Sequence, residues 1–241
     1  MEFHKPKPFH SWREFLKEVG IIFLGVCIAL TAEQVVQRLH DAKLAREAGK
    51  MARSELRSNL QNFVRRRATQ ACIDRRLDEV AGLIAASDQP GYAPPSWIGR
   101  PMAEILNTAG WDAASQSGRA ALLREKDQTD FGHLYGQLRE LSQLQRDEQK
   151  AWAEIRQLEN QPRVDLQLRA SVRSALQQAR LLNWNIMVDL EQSEAAAEKL
   201  GIVDKNSRPK GSPVMCLPTD TRRDDAIAQS NEFFGDRLGE P

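Results

Sequence analysis

Two kinds of side chain in this 241-residue chain have the type and placement to do chemistry: a pair of cysteines and a run of arginines. Cys72 falls in a long helical pattern and Cys216 in an irregular C-terminal stretch, between Met215 and Leu217. In an oxidising compartment the two would close a disulfide that pins the tail to the helix, worth ~3–5 kcal/mol through the lost freedom of the unfolded chain. In a reducing compartment both would instead be small buried hydrophobes with no bond between them. Arg65, Arg66 and Arg67, with Arg53 and Arg57 one turn and more below, could hold phosphates or anionic lipid. Consecutive helical residues point ~100° apart, however, and no aromatics are interleaved to stack bases. The expectation is a solvated helix face, partly paired with Glu55, Asp74 and Asp78, and no nucleic-acid partner.

Catalytic constellations do not emerge. The four histidines are His4, His10, His40 and His133, and the first three belong to the N-terminal stem. None of the nucleophile-elbow, metalloprotease, phosphate-loop or dinucleotide motifs occurs. The abundant carboxylates alternate with Arg and Lys at helical spacing, as surface ion pairs do. The chain is therefore expected to be non-enzymatic, with no metal and no cofactor. Lys and Arg together number 34 and Asp and Glu 33, so net charge gives no reason to seek a polyanionic partner.

The most informative element lies near the N-terminus. Residues 19–32 read VGIIFLGVCIALTA, bounded by Glu18 and Glu33. That run covers only about 21 Å, but a helix over 12–36 would reach ~37 Å, enough for a bilayer if Lys17, Glu18 and Glu33 lie at the headgroups. Trp12 stands where an interfacial aromatic belongs. Three other readings compete. Cleavage as a signal peptide after Ala32 would put Leu30 at the position that should be small, behind a region carrying Glu2, Glu14 and Glu18. Acylation of Cys27 would need a small residue where Val26 stands, and a buried soluble helix is favoured by length alone. We expect an uncleaved transmembrane helix, with Gly25 and Ala29 as a small-xxx-small contact for a second membrane helix. Lys5, Lys7, Arg13 and Lys17 before the run balance Arg38, Lys43, Arg46 and Lys50 after it, so charge does not set the orientation. The cysteine pair favours an arm, 1–11, inside and the bulk of the chain outside.

Beyond the membrane the periodicity is helical throughout. From 33 to 86 there is no Pro, and apolar residues recur at three- and four-residue spacing, so the membrane helix should continue as a rod with at most a weak hinge at Gly49. Residues 88–101 hold four Pro and two Gly and read as a loop. A shorter segment, 102–118, follows and holds a short helix, with Thr108 as N-cap and Trp111 facing inward. Small Ala109, Ala113 and Ala114 would flank the ring, and Ser117-Gly118 would end the helix, so that it wedges against its neighbours. A long pattern from Phe131 to Leu158 has thin apolar support at 145–148, Pro162 ends it, and a last long helix runs over 164–200 to Gly201. The fold class is all-α: a transmembrane helix continuing into an antiparallel bundle of three long helices plus one short, over 37–201. Residues 202–241 should form an extended tail, with a short helix possible around 224–234.

Two stretches also carry a resemblance. FHSWREFLKEVGIIFLGVCIALTAEQ resembles the start of small bacterial proteins with a short basic arm and an uncleaved membrane helix before a helical domain. NTAGWDAASQSGRAALL, with Trp111, Ser117 and Gly118, is similar to a Trp-x6-Gly element in their middle. The resemblance covers about 60 residues and implies an inner-membrane, single-pass helical protein of an uncharacterised family, with no activity and no functional residue attached. It leaves three roles open: a periplasmic scaffold, oligomeric stalk or accessory subunit working through protein contacts; a ligand-sensing bundle that would need a partner to signal; or a cytosolic-facing domain binding anionic lipid or nucleic acid. Membrane lipid, and a protein partner or a second copy, are the expected contacts, and any small-molecule ligand is unknown.

Overall fold

The computed structural model describes residues 12–202 and 213–238. The expected N-terminal arm and the stretch 203–212 of the expected tail lie outside the described residues. Helix α1, Trp12–Ala86, runs for 75 residues without interruption, a length of ~112 Å. Gly49 introduces no break. It is buried against the turn that carries Leu123. Up to Glu47 the helix is largely exposed, including Ile21, Ile22, Phe23 and Leu24, and continuous burial begins at Ala48. Among the described helices α1 alone is long and apolar enough to cross a membrane. Within its apolar run the Thr31 hydroxyl donates to the Cys27 carbonyl at 2.7 Å, which satisfies a polar group where water would be absent.

From the far end of α1 the chain turns back through an extended strap, 95–108, that descends beside the helix. Side chains take up the strap's backbone groups. The Asn59 amide donates to the Asn107 carbonyl and accepts from the Asn107 N–H, both at 2.8 Å. Asn62 donates to the Ile105 carbonyl at 2.6 Å, and the Glu104 N–H donates to Gln145 at 2.6 Å. Residues 102–107, after Pro101, bond sideways to α1 and to Gln145 instead of forming a ladder of their own, and the short helix begins directly after Thr108, as expected: α2, Ala109–Gln116. Thr108 stands at the N-cap position, but its side chain makes no cap bond: the hydroxyl donates to Asp112, and Asn107 accepts the Ala109 N–H.

A 3-10 turn, Ala120–Leu122, leads into α3, Glu125–Ile155, which ascends parallel to α1. After a second 3-10 turn, Arg156–Leu158, the chain enters α4, Leu166–Lys199, whose N-cap Asp165 accepts the Leu168 N–H. Helix α4 descends antiparallel to both, and Gly201 ends it at a φ of 68°. Within the described part of the tail, Pro213–Cys216 forms a 3-10 turn against α1, and α5 spans Arg223–Leu238. The described residues contain no strand.

The core has two large halves and a small third cluster, Trp97, Val214 and Ala226, that joins strap and tail. The lower half gathers Leu56, Phe63, Trp111, Phe131, Tyr135 and Leu138, and the upper half Ile73, Leu77, Ile98, Trp152, Leu158 and Val172. Between them lies a buried polar layer. Arg66 of α1 donates to both oxygens of Glu148 on α3, at 3.1 and 2.6 Å, and to Asn183 of α4 at 2.9 Å. Asn183 in turn donates to Asp74 at 3.0 Å. One residue of each long helix thus meets at one level, and the thin apolar support at 145–148 is the α3 part of this layer.

Candidate functional site

At the end of the bundle remote from the apolar run, the strap and the tail converge on the stretch of α1 around Arg76. Cys72 is bonded to Cys216 as a disulfide, with Cα atoms 5.0 Å apart across 144 residues of sequence. One turn further along, the Arg75 guanidinium donates to the Cys216 carbonyl at 3.0 Å. The Arg76 guanidinium, 1% exposed, bonds to the carbonyls of Trp97 and Ile98 on the strap and of Leu217 on the tail, and to Glu79 at 2.7 Å. Burial holds its pKa below the usual arginine value, against the pull of Glu79. A single side chain therefore fastens strap and tail to the same helix. The Thr219 carbonyl completes the junction by accepting the N–H groups of Ser96 and Trp97, both at 3.0 Å.

Glu159, just after α3, clamps the strap from the other side. Its carboxylate accepts the Ile98 N–H at 2.9 Å and the Gly99 N–H at 3.3 Å, and pairs with Arg156 through two bonds of 2.9 Å. Burial alone would raise its pKa. The hydrogen bonds from Arg156 and the strap amides outweigh that and hold it below the ordinary glutamate value. Gly99 has a φ of 73°, and a Cβ there would come within 2.9 Å of the Trp97 ring, so the turn against that ring requires glycine.

This junction frames a cleft of about 470 Å³ between the strap, the end of α3 and the first two turns of α5. Trp97 and Met102 of the strap and Ile227 of α5 line it, together with Arg100, Arg156 and Arg223. The Arg156 guanidinium lies 5.7 Å from the Trp97 ring centre.

The other sequence candidates lie elsewhere. Gly25 and Ala29 share one exposed face of α1, one turn apart, and nothing comes within 4 Å of a Cβ placed at Gly25. Trp111 is buried, stacked on Tyr135 with ring centres 5.1 Å apart and planes 4° from parallel, and it also meets Phe131. Of the small residues around it only Ala114 is buried, while Ala109 and Ala113 are exposed. Ser117 donates its hydroxyl to the Ala113 carbonyl at 2.7 Å, and Gly118 follows at a φ of 73°, ending α2.

The arginine run is only in part a solvated face: Arg66 is buried, Arg65 half-buried and Arg67 exposed. Arg65 pairs with Glu104, Arg66 with Glu148 and Arg67 with Glu194, each on a different segment, so the three tie α1 to the strap, α3 and α4 respectively. The 100° divergence that prevents a common stripe is what sends them to three partners. With their charges so engaged, these residues are no open platform for phosphates. Among the described residues, no group of three His, Cys, Asp or Glu side chains is placed to share a metal ion. No family model, curated protein or solved structure matches the chain.

Proposed function

We propose that this chain is a non-enzymatic, single-pass membrane protein of the bacterial inner membrane whose helical domain works through protein contacts in the periplasm, as a scaffold, stalk or accessory subunit. The observation that carries this reading is the continuity of α1: the same helix whose exposed, apolar-centred part is long enough to cross a bilayer enters the bundle core at Ala48 without a break. A domain built on such a helix is held at a fixed height and angle to its anchor, as a presenting module requires. The Cys72–Cys216 disulfide supports the periplasmic side, because disulfides persist in oxidising compartments. Support for contact with another protein comes from α4, where Leu181 and Trp184, one turn apart, are 59% and 63% exposed. Large aromatics on a rigid helix are favoured contact anchors.

A photo-crosslinking residue at position 184 of the full chain in native membranes tests this reading. A discrete heavier adduct is expected from position 184 and none from position 146, an exposed polar site on α3. No adduct at 184, or the same adducts at both positions, would contradict it.

A further inference from the structure

We propose that the cleft between the strap and α5 binds a small amphiphilic anion, an oxyanion head carried on an apolar body. This goes beyond the contacts proposed above and holds on either side of the membrane. Three arginines line the cleft and no Asp or Glu does. Of the three, Arg156 is paired with Glu159, as Arg65, Arg66, Arg67, Arg169 and Arg180 are with carboxylates of other segments. Arg100 and Arg223 form no ion pair among the described residues. The acidic residues next to Arg223 do not neutralise the space: Asp224 and Asp225 lie outside the lining, and Asp225 is held by Arg222 at 2.9 and 3.1 Å. Arg156 is aligned by Glu159 along the wall, so it is fixed in position before any ligand arrives.

The remainder of the lining is suited to the other end of such a molecule. Trp97, Met102, Val214 and Ile227 supply apolar surface, and Ile227 is 41% exposed although it faces a cleft. Ser230 and Asn231 add neutral hydrogen-bonding groups. A cleft of about 470 Å³ is within the size range of small-molecule sites, which combine an apolar lining with a few placed polar groups. Guanidinium groups bind carboxylate or phosphate oxygens through charge-assisted paired hydrogen bonds, and the apolar wall selects among anions for those bearing a chain or ring. Inorganic anions would engage the arginines alone, and neutral amphiphiles the wall alone.

The test is calorimetric titration of the full chain in nanodiscs of zwitterionic lipid, with empty nanodiscs subtracted. The probes are decanoate, decyl phosphate, decanol and inorganic phosphate. One equivalent of decanoate or decyl phosphate is expected to bind, with decanol and inorganic phosphate each about tenfold weaker or more. Whichever of the two amphiphiles binds more tightly assigns the head as carboxylate or phosphate monoester. The double variant Arg100→Ala/Arg223→Ala should lose about tenfold in decanoate affinity, whereas Arg163→Ala/Arg173→Ala, which removes two exposed arginines elsewhere, should not. Ile227→Glu, which sets a carboxylate at the rim, should weaken decanoate without touching an arginine. Absence of saturable binding by either amphiphile would overturn the proposal, as would binding indifferent to the loss of Arg100 and Arg223.

Discussion

Arg66 of α1 and Glu148 of α3 form a two-bonded ion pair inside the bundle, with Glu148 fully shielded from solvent. Removing one partner strands the other charge in the core. Arg66→Ala or Glu148→Ala should therefore cost ~3–5 kcal/mol, whereas Arg66→Met/Glu148→Leu together should be near neutral or stabilising. Chemical denaturation of the full chain in a non-ionic detergent, followed by tryptophan fluorescence, measures all three. A double variant as unstable as the singles would mean that the layer contributes through geometry that apolar side chains cannot reproduce.

How such a pair escapes a reading of the sequence is instructive. On α3 the buried positions run Leu138, Leu141, Gln145, Glu148 and Trp152, alternating three and four apart. Gln145 and Glu148 thus occupy core register, and apolar periodicity, which looks only for hydrophobes, registers them as a gap. Arg66 is likewise in register with Phe63 and Ile73 on α1, yet as the middle of an arginine run it reads as surface charge. A polar residue at a core position on two helices was the available signal. The long helices were legible because they carry uninterrupted three-and-four spacing with Pro and Gly at their ends. The strap was not, because its conformation is set by Asn59, Asn62, Gln145 and Glu159, which are remote in sequence. The cleft was invisible for the same reason: Arg100, Arg156 and Arg223 share no motif and meet only through the fold.

The Cys72–Cys216 bond closes a loop spanning 144 residues. In the chain-entropy treatment a loop of that length is worth about 5 kcal/mol against global unfolding. Cys72→Ser/Cys216→Ser should lower stability by up to that amount. It should also speed proteolysis within 213–222, since that segment would then be held only by non-covalent contacts: the burial of Val214 and Met215 and its hydrogen bonds to Arg75, Arg76 and the strap. Limited proteolysis with and without reductant, read by mass spectrometry, checks it.

Trp111 fills the lower core against Tyr135 and Phe131. Trp111→Ala should cost ~3–5 kcal/mol, the range for deleting a buried aromatic, and Trp111→Phe less, because the stack is partly kept. Thermal melting followed by near-ultraviolet circular dichroism distinguishes them. A wild-type melt for Trp111→Ala would contradict the packing described.

Glu159 makes the strap acid-sensitive. Its pKa is held below that of an unfolded glutamate, about 4.3. Its contribution is therefore complete above that value and is lost as the pH falls through the lower folded value. The stability difference between wild type and Glu159→Gln should be present at pH 7 and should shrink on acidification below about pH 4. Denaturation midpoints across that range measure it, and a gap independent of pH would show that the carboxylate's charge is not what secures Ile98 and Gly99.

The most direct test of the membrane-anchored, periplasmic reading is thiol accessibility in intact spheroplasts. It uses a membrane-impermeant maleimide on a Cys27→Ala background, with and without prior reduction. Cys72 and Cys216 should label only after reduction, with a non-reducing peptide map showing them linked. Labelling only after lysis, whatever the reductant, would place the bundle in the cytosol and contradict that reading.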